Sequence, residues 1–134
     1  MARRFSVVQA SLQRMTTLPV ILPHLLDGGW RGLAYEPFRE GVEICRLHGD
    51  EPSLALLRYA PGAAVPRHRH TALETVLVLE GSQYDERGRH DAGALVANPA
   101  GSEHSVWSAE GCVVLIQWTR PVEFIDQPSS QAGR

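Results

Sequence analysis

The sequence predicts an all-β fold, either an antiparallel sandwich or an antiparallel barrel. Apolar segments of strand length alternate along the 134 residues with turns rich in Gly, Pro and Asp, and no segment has a convincing pattern for a long amphipathic helix. Short strands separated by such turns are typical of sandwiches and barrels. A chain of this length fits one domain with a sizeable core.

An apolar arm precedes the strands. Residues 18–27 are hydrophobic, but Pro19 and Pro23 exclude a regular central strand because proline cannot donate a ladder hydrogen bond. We expect this stretch to pack along an edge. The sequence therefore predicts an N-terminal arm and edge segment over residues 1–29.

The strand-like segments follow one another at short intervals. Residues 82–91 are polar and brief, which is typical of a hairpin, with Gly88 at its tip. Pro121 ends the last predicted strand. The polar composition of residues 126–134 predicts a flexible tail. The barrel is therefore predicted over residues 30–125. One short strand is predicted within residues 30–38, and the other predicted strands cover residues 42–47, 53–59, 76–79, 94–97, 105–108 and 112–119.

Three residues with metal-ligand side chains occur close together after Pro66. His68 and His70 are two residues apart and Glu74 is four further on, so in one extended strand all three side chains project from the same face. Two imidazoles and a carboxylate suit a divalent ion such as Zn, Fe, Mn, Ni or Co. The alternative is a solvated polar strand end.

Charge and cysteine usage exclude several classes of function. The net charge is −2 and no run of five basic residues occurs, so we expect no binding to nucleic acid. No stretch approaches the roughly 18 apolar residues of a membrane helix, so we expect no membrane partner. Cys45 and Cys112 are far apart in sequence, which supports neither a disulfide framework nor a cysteine zinc site. We therefore predict a cytoplasmic protein.

Gly62 and Gly81 flank the first set of spaced residues, and a second set follows with Gly93, Pro99, Gly101 and His104. Together the two sets resemble the paired signatures of the cupin superfamily, except that Ser108 stands where the second signature ordinarily has Asn. The resemblance implies an RmlC-like jelly-roll barrel of antiparallel strands, and it implies four metal ligands, His68, His70, Glu74 and His104. The matching positions are Gly62, His68, His70, Glu74, Gly81, Gly93, Pro99, Gly101 and His104.

A finer resemblance covers roughly residues 30–118. The stretches 59–70, 77–82, 85–88, 99–104 and 111–112 look like the cupin module of ChrR-type anti-sigma factors. In that group the module follows a zinc-binding domain that grips a sigma factor. This sequence has no His/Cys cluster to build such a domain, so we expect a stand-alone module.

The resemblance leaves the function open between two main hypotheses. The leading one is a small metal-binding cupin that serves as a ligand- or oxidant-responsive regulatory module. The alternative is a non-heme dioxygenase acting on a small chelating substrate such as a diketone, because six-coordinate Fe, Mn or Ni would keep two positions open. A metal-independent epimerase-type barrel is a third possibility, against which the ligand residues argue.

The remaining polar and aromatic residues receive ordinary interpretations. Arg67 and Arg69 alternate with the histidines and are expected to be exposed charges, and the run 85–88 is expected to be a solvated turn. His24, His48 and His90 are read as surface or core histidines. Candidates for an acid, a base or a pocket wall are Tyr84, Glu103 and Trp107.

Two partners are expected. A small-molecule ligand or substrate would occupy the barrel. The chain is also predicted to form a symmetric homodimer with a contribution from residues 18–26, which are too apolar to be left in water.

Overall fold

The computed structural model describes residues 17–125, in which ten strands pair antiparallel. The all-β prediction is confirmed. The tail predicted for residues 126–134 and the first sixteen residues of the predicted arm lie outside the described residues. The strands are β1 (Glu36–Arg39), β2 (Val42–His48), β3 (Ser53–Tyr59), β4 (Ala64–Arg69), β5 (Glu74–Asp85), β6 (Gly88–Asp91), β7 (Leu95–Asn98), β8 (Glu103–Trp107), β9 (Cys112–Trp118) and β10 (Glu123–Phe124), and a short 3-10 helix spans Leu25–Asp27.

The long strand β5 joins the two halves of a curled sheet. The strands follow the order β1-β2-β3-β9-β5-β8-β4-β10, while β6 and β7 also pair with β5. The first half of β5 pairs with β7 and β9, and its second half pairs with β6 and, at Tyr84, with β8. Because one strand serves both halves, their inner faces enclose a common core.

Two hydrophobic clusters cover the two faces of the β2-β3-β9-β5 region. Side chains alternate between them, since Val42 and Ile44 of β2 belong to the inner cluster and Cys45 and Leu47 to the outer one. The strands of this region are therefore apolar on both faces, which explains their nearly continuous hydrophobic sequences. The inner cluster includes Val42, Ile44, Ala55, Leu57, Tyr59, Val76, Val78, Val106, Val114 and Ile116.

The apolar arm packs on the outer cluster rather than along an edge. Val20, Leu22 and Leu25 contact a cluster that contains Trp30 and residues of the central strands β3, β5 and β9. The predicted edge position is therefore wrong. The arm is needed on the face because the outer side chains of four strands would otherwise lie in water. Within residues 17–125 no helix is long and apolar enough to cross a membrane.

One short strand is predicted within residues 30–38, and β1 is that strand, although it extends to Arg39. Before β1 the chain turns after Gly28, where Arg31 N–H donates to Gly28 O. The chain also continues past Pro121 into β10, which pairs with β4 through Phe124 opposite His68. The hairpin predicted for residues 82–91 is confirmed, with β5 and β6 as its two strands.

Candidate metal centre

Three buried histidines meet at the inner face of β4 and β8. His68 of β4 and His104 of β8 are direct cross-strand partners, and His70 follows the end of β4. Each of the three residues has a ligand nitrogen within 4.8 Å of the others, and each residue is at most 5% exposed. The structure thus brings together three of the four residues that the cupin resemblance implies as ligands.

The expectation that one strand carries His68, His70 and Glu74 is wrong. β4 ends at Arg69 and β5 begins at Glu74, so these candidate ligands do not share one strand. The reason is the loop that precedes β8: His70 N–H donates to Ser102 O, and Gly101 N–H donates to His70 O. These bonds hold His70 beside the loop while the chain turns before Glu74.

A register shift turns His68 inward. The pairing of β4 with β8 shifts between Val65 and His68, a segment that contains Pro66 and its missing N–H. Val65 and His68 are three residues apart, yet both line the same interior cavity. Regular alternation would have put one of them on the outer face.

Every imidazole of the group is oriented by a hydrogen bond from its Nδ1. His68 Nδ1–H donates to Pro66 O at 2.8 Å, His70 Nδ1–H to Ser102 O at 3.0 Å, and His104 Nδ1–H to Asp85 Oδ2 at 2.9 Å. Because these acceptors are carbonyl or carboxylate oxygens, the proton of each neutral ring sits on Nδ1. The lone pair of each ring is therefore on Nε2.

The Nε2 atoms fit a metal ion. Nε2 of His70 and Nε2 of His104 are buried without a hydrogen-bond partner among the described residues, although buried polar atoms are normally satisfied. Burial also lowers the pKa of His68, which favours the neutral, ligating form of that ring. A divalent ion bound by the three lone pairs would satisfy both unpaired nitrogens.

Glu74 borders the histidine group without being one of its members. Its Oε1 lies 3.2 Å from His70 Nε2, but this contact lacks hydrogen-bond geometry. The same oxygen accepts a hydrogen bond from Asn98 Nδ2 at 3.0 Å, across the pairing of β5 with β7. Asn98 thus fixes a 4% exposed carboxylate beside the three rings.

Asp85 is a site residue that the sequence analysis missed. It is buried and accepts hydrogen bonds from His104 and from His90 Nε2–H at 2.9 Å, so the expected solvated turn is wrong at this residue. Burial alone would raise the pKa of Asp85, but the hydrogen bonds from His104 and His90 outweigh it and hold this pKa below its usual value. The ionised carboxylate orients the His104 ring.

The arginines beside the histidines point away from the site, as expected. Arg67 is 3.3 Å from Glu103, and Arg69 pairs with Glu103 at 3.2 Å and with Glu123 at 2.7 Å. Glu103 is thereby engaged on the outer surface. It is not the acid or base that the sequence suggested.

Two aromatic candidates also lie outside the site. Tyr84 O–H donates to Glu110 at 2.7 Å, and its ring stacks on Trp107 at 6.0 Å between centroids. Trp107 is 37% exposed and does not line the interior cavity, whereas Trp118 does. The pairing of Tyr84 with Trp107 across β5 and β8 explains why both are on the outer face.

A cavity of about 280 Å³ reaches the histidine group from between the two halves of the sheet. The buried residues of its lining include His68, Glu74 and His104, which define its inner end, and also Tyr59 and Gln83. Apolar side chains such as Leu57, Val76 and Ile116 form its walls. A small molecule in this cavity can therefore touch the candidate ligands directly.

Comparison with known proteins agrees with this geometry. Residues 30–122 match the family described as the ChrR cupin-like domain. The chain is 34% identical over 103 residues to the anti-sigma-E factor ChrR of Cereibacter sphaeroides, an alignment that covers 75% of this chain. It covers 46% of the relative, so this chain spans about half the length of that protein.

Solved structures share the fold. The complex of Rhodobacter sphaeroides SigE with the anti-sigma ChrR matches with a TM-score of 0.60 at 25% identity, over 83% of this chain and 74% of that chain. An acetylacetone dioxygenase from Acinetobacter johnsonii matches with a TM-score of 0.65 at 18% identity, over 69% of this chain and 72% of that one. At 18% identity the second likeness shows the fold alone. The predicted cupin barrel is confirmed, and the chain belongs to the ChrR cupin-like domain family.

Proposed function

We propose that this chain is a metal-binding cupin module in which His68, His70, Glu74 and His104 hold one divalent ion. The observation that carries the proposal is the common orientation of the rings: all three Nδ1 atoms are committed to hydrogen bonds, and two Nε2 atoms are buried with no partner within residues 17–125. Glu74 would be the fourth ligand, because its carboxylate lies beside His70 and is fixed by Asn98.

With four protein ligands, the identity of the ion decides whether coordination positions stay open. Three imidazoles and a carboxylate give Zn a closed tetrahedral site, whereas Fe, Mn or Ni in six-coordination would keep two positions for a ligand. When bound, such an ion supplies Lewis-acid or redox chemistry at the inner end of the cavity. Two of the residues that line the cavity carry a hydroxyl group, Ser53 and Tyr59, and burial raises the pKa of Tyr59 above its usual value.

The leading function is a ligand- or oxidant-responsive regulatory module. Its support is membership of the ChrR cupin-like family together with a cavity that reaches the candidate ligands. The similar ChrR protein is named an anti-sigma-E factor and was solved in complex with SigE.

The alternative function is a dioxygenase acting on a small chelating substrate. The specific observation in its favour is that the cavity touches His68, Glu74 and His104 at once, so a substrate could share the coordination sphere. An acetylacetone dioxygenase has the same fold. Apart from the candidate ligands His68, Glu74 and His104, the cavity lining contains no carboxylate or imidazole that could act as acid or base, which favours the regulatory module.

Metal analysis followed by an oxygen-electrode assay separates the two functions. We expect the protein purified without added metal to contain Zn and, after loading with Fe(II) under anaerobic conditions, to consume no oxygen catalytically with a panel of diketones. Catalytic oxygen uptake with any diketone would contradict the regulatory reading. Absence of any bound metal would contradict both.

We also propose a cytoplasmic homodimer. Cys45 and Cys112 are buried free thiols, which suits a reducing compartment. Ile21 and Leu26 of the arm are 77% and 76% exposed, although their neighbours pack on the outer cluster. Burying this strip against a second copy would remove large apolar side chains from water.

A further inference from the structure

The mouth of the interior cavity carries two cations. Arg39 and Arg46 line the cavity together with Phe38, Trp118 and Phe124. The guanidinium of Arg39 lies 4.8 Å from the centroid of the Phe124 ring, and that of Arg46 lies 5.8 Å from the centroid of Phe38. Phe38 is 39% exposed and Phe124 is 47% exposed, which places this cationic and aromatic rim at the solvent end of the cavity.

The two arginines differ in their anionic partners. Arg46 has Glu36 at 3.9 Å, whereas no carboxylate within residues 17–125 forms an ion pair with Arg39. Most other arginines that border the sheet are paired, for example Arg58 with Glu43 at 2.8 Å. Arg39 is thus a cation at a cavity mouth whose charge is available to a ligand.

The interior of the cavity does not supply a competing negative surface. Glu74 is the one carboxylate among the lining residues, and it is engaged by Asn98 beside the histidines. The charge of Arg39 acts on groups inside the cavity. It favours the ionised form of Tyr59 and so offsets part of the rise in the pKa of Tyr59 that burial causes. The Phe124 ring, which Arg39 contacts, lies 5.8 Å from the His68 ring, so the charge of Arg39 is also close to the histidines.

We propose that the cavity binds a small organic anion with an apolar body, whose anionic group pairs with Arg39 at the mouth while the apolar body fills the space toward the histidines. The volume of about 280 Å³ suits a ligand on the order of ten non-hydrogen atoms. This inference rests on the proposed function, because the anion would be the signal or substrate of that same site. Arg39 is the specificity-determining residue.

Calorimetric titration with matched probes tests the role of charge. The probes are phenylpropanoate, its neutral amide and the corresponding phenylpropylamine, which share one apolar body. We expect the full chain at neutral pH to bind phenylpropanoate about tenfold or more tightly than the amide, since charge-assisted hydrogen bonds to guanidinium are the stronger kind. The amine should bind weakest.

Three arginine variants test the position of the anion. Arg39→Gln should reduce the preference for the acid over the amide to near unity, while Arg46→Gln should reduce it less because Glu36 already offsets part of that charge. Arg89→Gln is the matched control: its side chain pairs with Asp91 on the β6 hairpin, outside the cavity lining. It should keep the full preference.

Several results would overturn the inference. Equal affinity for acid and amide in the unmodified chain, no binding of either probe, or a preference that survives Arg39→Gln would each do so. Metal content is measured on the same preparations. A full metal complement without anion preference defeats this inference alone, and anion preference without metal supports it while defeating the proposed metal site.

Discussion

The three histidine rings depend on different parts of the chain for their orientation. Pro66 holds His68 from within β4, the loop residue Ser102 holds His70, and Asp85 holds His104 from the end of β5. Of these acceptors only Asp85 carries a charge. A carboxylate that accepts from a ligand histidine fixes the ring and raises its basicity, so Asp85 is the positioning residue with the largest expected effect.

Asp85→Asn should weaken metal binding about 10–100-fold, because the neutral amide cannot polarise the His104 ring as the carboxylate does. Asp91→Asn is the matched control, since Asp91 lies on the same hairpin but bonds Ser82 and Arg89 instead of a histidine. Competition with a chelator of known affinity measures both variants. Equal metal affinity in the two would contradict the role given to Asp85.

At this scale the sequence was informative about the histidines and not about their support. The sequence did not indicate that Asp85 supports the site, because a register shift between Val78 and Glu80 changes which positions of β5 face inward. Val76 and Val78 belong to the inner cluster, and beyond the shift Gln83 lines the cavity and Asp85 meets His104. Without this register shift, strict alternation from Val76 would place the side chain of Asp85 on the outer face of the sheet.

β5 is the element on which the site depends, because it begins with Glu74 and ends with Asp85. Gly81 lies just beyond the register shift, with a φ of 73°, and an added Cβ would collide with the backbone of Gly111. Gly62 has a similar φ of 84° but open space around its Cα. Both glycines have a left-handed backbone, but only Gly81 is crowded. Comparing their substitutions therefore separates the cost of backbone strain from the cost of steric crowding.

Gly62→Ala should cost about 1–2 kcal/mol of unfolding free energy, the ordinary cost of a left-handed conformation for alanine. Gly81→Ala should cost more, since the β9 side of the barrel must also move, and its metal affinity should fall with the displacement of Asp85. Urea unfolding and chelator competition check both. A smaller loss of stability in Gly81→Ala than in Gly62→Ala would be inconsistent with this account.

Element boundaries were predicted best where both faces of a strand are buried. The segment predicted at residues 53–59 is β3 itself, and residues 112–119 correspond to β9 within one residue. β10 was missed, because two residues after a proline carry no periodic signal and are set by pairing with β4. The turn between His70 and Glu74 was missed for a similar reason, since contacts with residues 101–102 cause it.

At the scale of the whole molecule, the arm presents apolar side chains on both of its sides. One side packs on the outer cluster, which the hydrophobic sequence of residues 18–27 did not specify, and the other exposes Ile21 and Leu26. The cupin signatures predicted the barrel because their glycines, proline and ligands fix turns and strand ends. Placement of the arm depends on distant contacts that no local pattern encodes.

The double variant Ile21→Asn/Leu26→Asn should convert a dimer into a monomer at micromolar concentration, because it places polar groups in an apolar contact. Leu95→Asn is the control, as Leu95 is 65% exposed on β7 and does not pack with the arm. Sedimentation equilibrium measures all three chains. A monomeric unmodified chain, or a dimer that persists in the double variant, would rule out this interface.

The claim that one divalent ion is held by His68, His70, Glu74 and His104 is tested most directly by metal content. The metal-to-protein ratio is measured for the purified chain, for His68→Ala, Glu74→Ala and His104→Ala, and for His90→Ala, whose ring touches only Asp85 in this network. We expect close to one ion per chain in the unmodified protein and in His90→Ala. The three ligand variants should lose the ion, with affinity falling by more than the roughly 10–100-fold of a supporting residue. A folded His104→Ala protein with a full metal complement would contradict the account.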